Sequence, residues 1–191
     1  MIRTLSYLRQ RLGNFAACDA GAVTVEFVII FPMFMMFFLM TVEAGVISIR
    51  HTMLERGVDL AVREVRIGRM ANPTRERLIK RICEESLILP NCESQMQLEM
   101  IIRDPRAWAA VSQEAKCVDR SVSVQPPVDF TPGGNNDLVI LRACARFDPF
   151  LPFGSMALLG TSIRENASSA AGGSYALIAT SAFAVEPFNK E

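Results

Sequence analysis

The stretch "AGAVTVEFVIIFPMFMMFFLMTVEAGVISIR", residues Ala20 to Arg50, decides the fold of this chain. Between Phe27 and Ile49 the only ionisable residue is Glu43. A helix over those residues is about 35 Å long, which exceeds the roughly 30 Å hydrocarbon core of a bilayer. The stretch therefore predicts a retained helix that crosses a membrane. A secretory signal peptide is the competing interpretation, but its apolar region is shorter, about 7–15 residues.

The arginines near this stretch bear on its direction. Arg3, Arg9 and Arg11 precede it, which favours a cytoplasmic N-terminus. Other arginines follow the stretch closely, so the charge distribution does not fix the orientation by itself.

Two acids and one proline interrupt the apolar character of the stretch. Glu26 lies at its entrance, where a charge costs less than at mid-membrane, and on its own this residue is compatible with a place in the interface. Glu43 lies about two turns before Arg50, and the sequence predicts that it is solvated at the outer interface. Pro32 predicts a kink, because it removes one helical hydrogen bond.

Beyond Arg50 the helical pattern persists. Leu54, Val58, Ala61 and Val65 recur on one face of a helix with a period of 3.6 residues. The pattern predicts a single helix of about 45–50 residues that ends before Pro73, half of it in the membrane and half forming an exterior stem.

Shorter elements follow the stem. Residues 72–88 read as a second helix, with Asn72 as N-cap and Pro73 in its first turn. A short helix is predicted after Asp104. Residues 125–136 read as a loop that ends in a tight turn, and 151–160 as a short helical stretch.

Strands are predicted in three places: Met96 to Ile102, where apolar and polar residues alternate, 137–147, and 174–188. The predicted fold class is α+β. A long N-terminal membrane-spanning helix continues into the stem and packs on a small antiparallel sheet with short helices.

The composition argues against catalytic and nucleic-acid-binding functions. The 191 residues carry a formal net charge of zero, so no basic footprint for nucleic acid is expected. His51 is the only histidine; His51 and Glu55 have ligand-compatible spacing but lack the partners that zinc requires. Oxygen donors surround a Gly-rich turn without matching a calcium loop: Asp129, Asn135, Asn136 and Asp137. No enzyme activity, metal or cofactor is expected; a membrane-tethered hydrolase is the least favoured alternative.

The beginning of the apolar stretch carries a family resemblance. Gly21 precedes an apolar helix whose fifth residue is Glu26, followed by the aromatic Phe27, after a basic leader. This arrangement resembles the processing site of type IV prepilin-like proteins, in particular the tight-adherence (Flp) pilus branch. The resemblance implies that a membrane aspartyl peptidase, the prepilin peptidase, cuts between Gly21 and Ala22.

A second resemblance lies near the C-terminus. The segment "SYALIATSAFAVEPF", residues 174–188, is similar to the closing strand of TadE/TadG-like pilus assembly proteins, and "GGNNDLVILRACARFDPFLPF", residues 133–153, to their penultimate strand. Residues 89–132 match nothing in that family. The chain thus resembles a TadE-like minor pilin, or pseudopilin.

The resemblance implies an organisation and a function. Residues 1–21 form a cytoplasmic leader, 22–49 a single-pass helix in the bacterial inner membrane, and 50–191 a periplasmic α+β domain. The implied function is that of a minor subunit in pilus assembly, with other pilin-like subunits, the assembly machinery and the membrane as partners. An uncleaved single-pass anchor whose periplasmic domain binds the secretion machinery is the alternative.

Cleavage would free an α-amino group on Ala22, about one helical turn from the carboxylate of Glu26. An unpaired charge is costly in lipid or among packed helices. The carboxylate can neutralise the amine of its own chain or of a neighbouring subunit. The pair Ala22 and Glu26 is therefore predicted to fix the register of assembly.

The five cysteines divide by their place relative to the membrane. Cys18 lies in the leader, and the other four lie outside: Cys83, Cys92, Cys117 and Cys144. In an oxidising compartment four such cysteines favour two disulfides, with three possible pairings. Spacing favours Cys83–Cys92 and Cys117–Cys144; buried free thiols are the alternative.

Overall fold

The computed structural model describes residues 22–70, 72–107, 115–120, 122, 124–125, 127–150 and 174–187. Three helices and three strands follow one another in these residues: α1 (Ala22–Arg66), α2 (Arg75–Glu85), α3 (Cys92–Gln95), β1 (Met96–Arg103), β2 (Leu138–Phe147) and β3 (Tyr175–Ala184). The three strands form one antiparallel sheet in the order β1-β2-β3. The α+β prediction is confirmed.

Helix α1 is a single helix of 45 residues, as its periodicity predicted, and it continues through Pro32. The chain divides into two compact units, and the boundary lies between Val42 and Glu43. In the first unit, the described part is the apolar half of α1. The second unit contains the sheet and the hydrophobic core.

The core of the second unit lies between one face of the sheet and one face of α1. The four predicted stem residues are all buried: Leu54 is 0%, Val58 1%, Ala61 0% and Val65 7% exposed. They share one hydrophobic cluster with Leu78 and Ile82 of α2 and with the inward side chains of the strands. On β3 these are Tyr175, Leu177, Ala179 and Phe183, which alternate with exposed or half-buried residues as expected for a strand that is buried on one side.

Helix α2 crosses α1 at Gly57. A Cβ atom at Gly57 would lie 2.5 Å from the Ser86 Oγ and 2.8 Å from the carbonyl oxygen of Ile82. Ser86 closes the contact by donating its hydroxyl hydrogen to the carbonyl oxygen of Met53 at 3.0 Å. Gly57, which lowers the intrinsic helix propensity of α1, therefore leaves the space that the end of α2 and Ser86 occupy.

We expect Gly57→Ala to lower the free energy of unfolding by about 1–3 kcal/mol, because overpacking at this contact exceeds the gain in helix propensity. Gly45→Ala is the matched control, since a Cβ atom there would meet nothing within 4 Å. Chemical unfolding of the detergent-solubilised chain, followed by circular dichroism, measures both. Equal stability of the two variants would contradict the close helix contact.

The predicted start of the second helix is wrong by two residues. The N-cap is Thr74, whose hydroxyl accepts the N–H of Arg77, and α2 begins at Arg75. Asn72, the predicted cap, has a φ of 56° and lies in the left-handed region instead. Thr74 is a suitable cap by residue type, as is Asn72, and because it follows Pro73, the helix begins after the proline.

Strand β1 departs from the predicted half-buried pattern. Met96, Leu98 and Met100 are buried as predicted, whereas Ile102 is 38% exposed. Gln97 and Glu99 on the opposite face are also buried, at 5% and 4% exposure. This opposite face is covered in part by residues 115–120, since Val118 is buried and its carbonyl oxygen accepts a hydrogen bond from Arg146 Nη1 at 2.7 Å.

The turn before β2 forms as predicted. Asn136 has a φ of 65°, and Asp137 Oδ2 accepts the N–H of Gly134 at 2.8 Å. After β1, Asp104 Oδ1 accepts the N–H of Arg106 at 2.8 Å. Most of the short helix predicted there, and the helical stretch at 151–160, lie outside the described residues.

Candidate assembly site

The N-terminal end of α1 carries the residues predicted to be processed and to fix register. Ala22 is the first described residue of α1, and Gly21 lies outside the described residues. Glu26 and Phe27 follow in the second turn with exposed side chains. Ala22 and Glu26 are four positions apart, so they lie on one side of the helix about 6 Å apart along its axis.

The apolar half of α1 is exposed along its whole length. From Val23 to Val42 every side chain is exposed except Met35 and Met40, which are half-buried. A helix in the core of a soluble protein would bury one face. This helix is long and apolar enough to cross a membrane, which suggests a membrane anchor.

The second half of α1 is tied to the sheet and to α2 by polar contacts. His51 Nε2 lies 3.3 Å from the carbonyl oxygen of Ile178 in β3. Near its C-terminal end, Arg66 donates to Glu186 at 3.0 Å. Arg81 of α2 donates to Glu64 at 3.0 Å. Together with the buried stripe, these contacts fix the stem part of α1 on its domain.

Glu43 is buried, at 3% exposure, so the prediction of a solvated acid is wrong. Neither of its carboxylate oxygens has a hydrogen-bond partner. The position explains the burial: Glu43 lies four residues before Ile47, which packs on the core, and seven before Arg50. The Arg50 guanidinium lies 4.7 Å from the centre of the Phe147 ring.

The signal for Glu43 was present in the sequence. Counting back from the buried Leu54 in steps of three and four residues reaches Arg50, Ile47 and Glu43, which places the acid on the packed side of α1. A buried carboxylate without a partner is unfavourable unless a donor approaches it. Chemically, this position can accept hydrogen bonds from a cationic or neutral donor.

The four cysteines that follow α1 form two disulfides, and these are the pairs that spacing favoured. Cys83 is bonded to Cys92 with the Cα atoms 5.7 Å apart, and Cys117 to Cys144 with the Cα atoms 5.2 Å apart. The first bridge joins α2 to the start of α3. The second holds residues 115–120 against the outer face of β2. Cys18 lies outside the described residues.

The residues considered as metal ligands have other roles in the structure. His51 Nδ1 lies 3.7 Å from Glu55 Oε1, while Nε2 faces the sheet. Asp137 completes the turn at Gly134, and Asp129 pairs with Lys116 at 3.6 Å. Among the described residues, no group of three or more histidine, cysteine, aspartate or glutamate side chains is placed to hold a metal ion.

A family model described as TadE-like protein matches residues 21–63. The match covers the apolar half of α1 and most of its stem, and it confirms the resemblance over that segment. The resemblance of residues 133–153 and 174–188 lies outside the match and stays a prediction. No curated protein and no solved structure matches the chain.

Proposed function

We propose that this protein is a minor pilin-like subunit, a pseudopilin, that takes part in assembly of a tight-adherence (Flp) pilus. The observation that carries the proposal is the match of residues 21–63 to TadE-like proteins, which coincides with the exposed apolar half of α1 and with the packed stem. A subunit of this kind docks through its helix and presents its domain on one side. The proposal includes no enzymatic activity and no cofactor.

The proposed orientation places the N-terminus in the cytoplasm and the domain in the periplasm. Both disulfides support it, since they join cysteines that all follow the apolar half of α1. Disulfides form and persist in oxidising compartments such as the periplasm and are rare in the cytosol. The arginines of the leader act in the same direction.

The proposed processing removes residues 1–21 and leaves Ala22 as the first residue. The Gly21–Ala22 junction supports this, because Glu26 is the fifth residue after it and Phe27 follows, as in the prepilin processing sites that the sequence resembles. The prepilin peptidase and other pilin-like subunits are the proposed partners. The carboxylate of Glu26 is the proposed acceptor for a freed amine.

Intact mass and N-terminal sequencing of the chain from peptidase-positive cells test the processing step. We expect a mature chain that begins at Ala22. Gly21→Val should leave the leader attached, because a branched side chain blocks close approach of the backbone to the peptidase. Gly13→Val, a glycine change within the leader, should be cut normally.

An intact Met1 in wild-type protein from such cells would favour the alternative, an uncleaved anchor that binds the secretion machinery. Sheared filaments separate the two functions further. A processed subunit of the filament is found in the sheared fraction, whereas an anchor stays with the cell membrane.

A further inference from the structure

The Cys83–Cys92 disulfide opens onto the surface of the domain. A cavity of about 410 Å³ borders it. Six residues line this cavity: Cys83, Glu84, Asn91, Cys92, Glu93 and Ser94. Because a water molecule occupies about 30 Å³ in the liquid, the space is large enough to admit a small thiol or the tip of a loop that carries one.

The two disulfides differ in how their sulfur atoms are placed. Cys83 and Cys92 are both partly buried at the edge of the core. In the other bridge Cys117 is also partly buried, but Cys144 is 1% exposed and lies on β2 beneath residues 115–120. Exchange requires a thiolate to reach a sulfur atom along the disulfide axis, so access decides which bridge reacts.

The charge around the accessible bridge is negative. Glu84 and Glu93 are the charged residues that line the cavity, and both are exposed. Arg81 lies 3.6 Å from Glu84, but it also contacts Glu64 at 3.0 Å and Glu85 at 2.9 Å. One guanidinium is thus shared among three carboxylates, and both charged side chains that line the cavity are acidic.

We propose that the Cys83–Cys92 bridge is the thiol–disulfide exchange site of this domain, and that Glu84 and Glu93 select for thiols in neutral or basic surroundings. The partner is a protein dithiol whose cysteines lie on a surface that is not acidic. The carboxylates of Glu84 and Glu93 repel an attacking thiolate. They attract a positive charge that lies close to that thiolate on the same partner, so such a thiol is favoured.

The exchange balances with such a dithiol as the reductant. Its thiolate attacks one sulfur of the bridge, the S–S bond breaks, and the other cysteine leaves as a thiolate that takes up a proton. The second thiol of the partner, as its thiolate, then attacks the mixed disulfide and releases the remaining cysteine. Two electrons pass to the chain, which gains two thiols, and the partner becomes a disulfide.

Three small thiols test the inference on the full-length chain in detergent: cationic cysteamine, neutral 2-mercaptoethanol and anionic mercaptoacetate. Alkylation at intervals, followed by peptide mass spectrometry, gives the rate at which each cysteine pair opens. Rates are divided by those for a neutral small-molecule disulfide, which removes differences in intrinsic nucleophilicity. We expect Cys83 and Cys92 to become labelled at least ten times faster than Cys117 and Cys144.

At low salt we also expect the normalised rate of opening of Cys83–Cys92 to be about tenfold higher with cysteamine than with mercaptoacetate. The reason is that the two nearby carboxylates attract the cationic thiol and repel the anionic one. The ratio should shrink in 1 M salt, where the Debye length is about 3 Å. The double variant Glu84→Gln and Glu93→Gln should bring the ratio close to one. Glu76→Gln is the control, because it removes an exposed carboxylate of α2 that does not line the cavity.

Earlier or equal opening of Cys117–Cys144 would overturn the assignment of the site. A thiol preference that the double variant leaves unchanged would overturn the role of the two acids. Both readouts follow the reaction of the disulfide and do not depend on pilus assembly.

Discussion

Replacing Cys117 and Cys144 together by alanine is expected to lower the free energy of unfolding by about 3–4 kcal/mol. The bridge closes a loop with a sequence separation of 27 residues, so its removal releases a large amount of chain entropy in the unfolded state. Cys144 is also buried at 1% exposure, and its truncation leaves a small void beside β2. Urea unfolding of the solubilised chain, followed by circular dichroism, gives the free energy.

The second bridge provides the comparison. Cys83→Ala with Cys92→Ala removes a bridge with a sequence separation of 9, and the same relation predicts a loss that is smaller by about 1 kcal/mol. Both double variants keep one disulfide and the same number of alanine substitutions. If the loss at Cys83–Cys92 were the larger one, closure of the loop would not be the main source of stabilisation here.

The elements with strong periodicity were predictable from sequence. The stem of α1 shows its buried face directly in the spacing of Leu54, Val58, Ala61 and Val65. Strand β2 was predicted over 137–147 and extends over Leu138–Phe147. In these segments local propensity and burial agree, which is why a single sequence was sufficient.

The misses in β1 have a physical cause: they depend on which face of the strand the rest of the chain covers. Gln97 and Glu99 read as solvent-facing residues of a half-buried strand, yet both are buried. Glu99 is paired across the sheet with Arg142, at 3.7 Å between Oε2 and Nη1. The residue pattern of β1 alone does not indicate that residues 115–120 pack on its second face.

Glu43 at the candidate site differs, because the spacing of the buried residues of α1 does indicate its burial. The apolar run suggested that an acid close to its end would reach water, whereas the stripe that continues from the stem places it against the domain. Packing of this part of α1 on the domain outweighs the nearness of Glu43 to the end of the apolar run, and the side chain is buried. Glu26 has no such conflict, because it is exposed and lies outside the packed stripe.

Glu26→Ala is expected to leave membrane insertion intact and to reduce the amount of assembled pili by at least tenfold. A hydrogen bond to a charged group contributes about 1.5–3 kcal/mol, and the loss of that much at a subunit contact weakens it by about 10–150-fold. Insertion should be unaffected, since alanine removes a charge from the entrance of the apolar stretch. Sheared filaments and the membrane fraction, both quantified by immunoblot, measure the two quantities.

Two further variants locate the effect in the charge of Glu26. Glu26→Gln keeps the shape of the side chain and removes its charge, so we expect a defect in assembly between those of wild type and Glu26→Ala. Thr24→Ala changes an exposed residue two positions away and should assemble normally.

The proposed partner of Glu26 is the amine freed at Ala22, so Glu26 should have no role in assembly when Gly21→Val blocks cleavage. The double variant Gly21→Val with Glu26→Ala should therefore assemble no worse than Gly21→Val alone. An additional loss in the double variant would show that Glu26 acts through some group other than that amine.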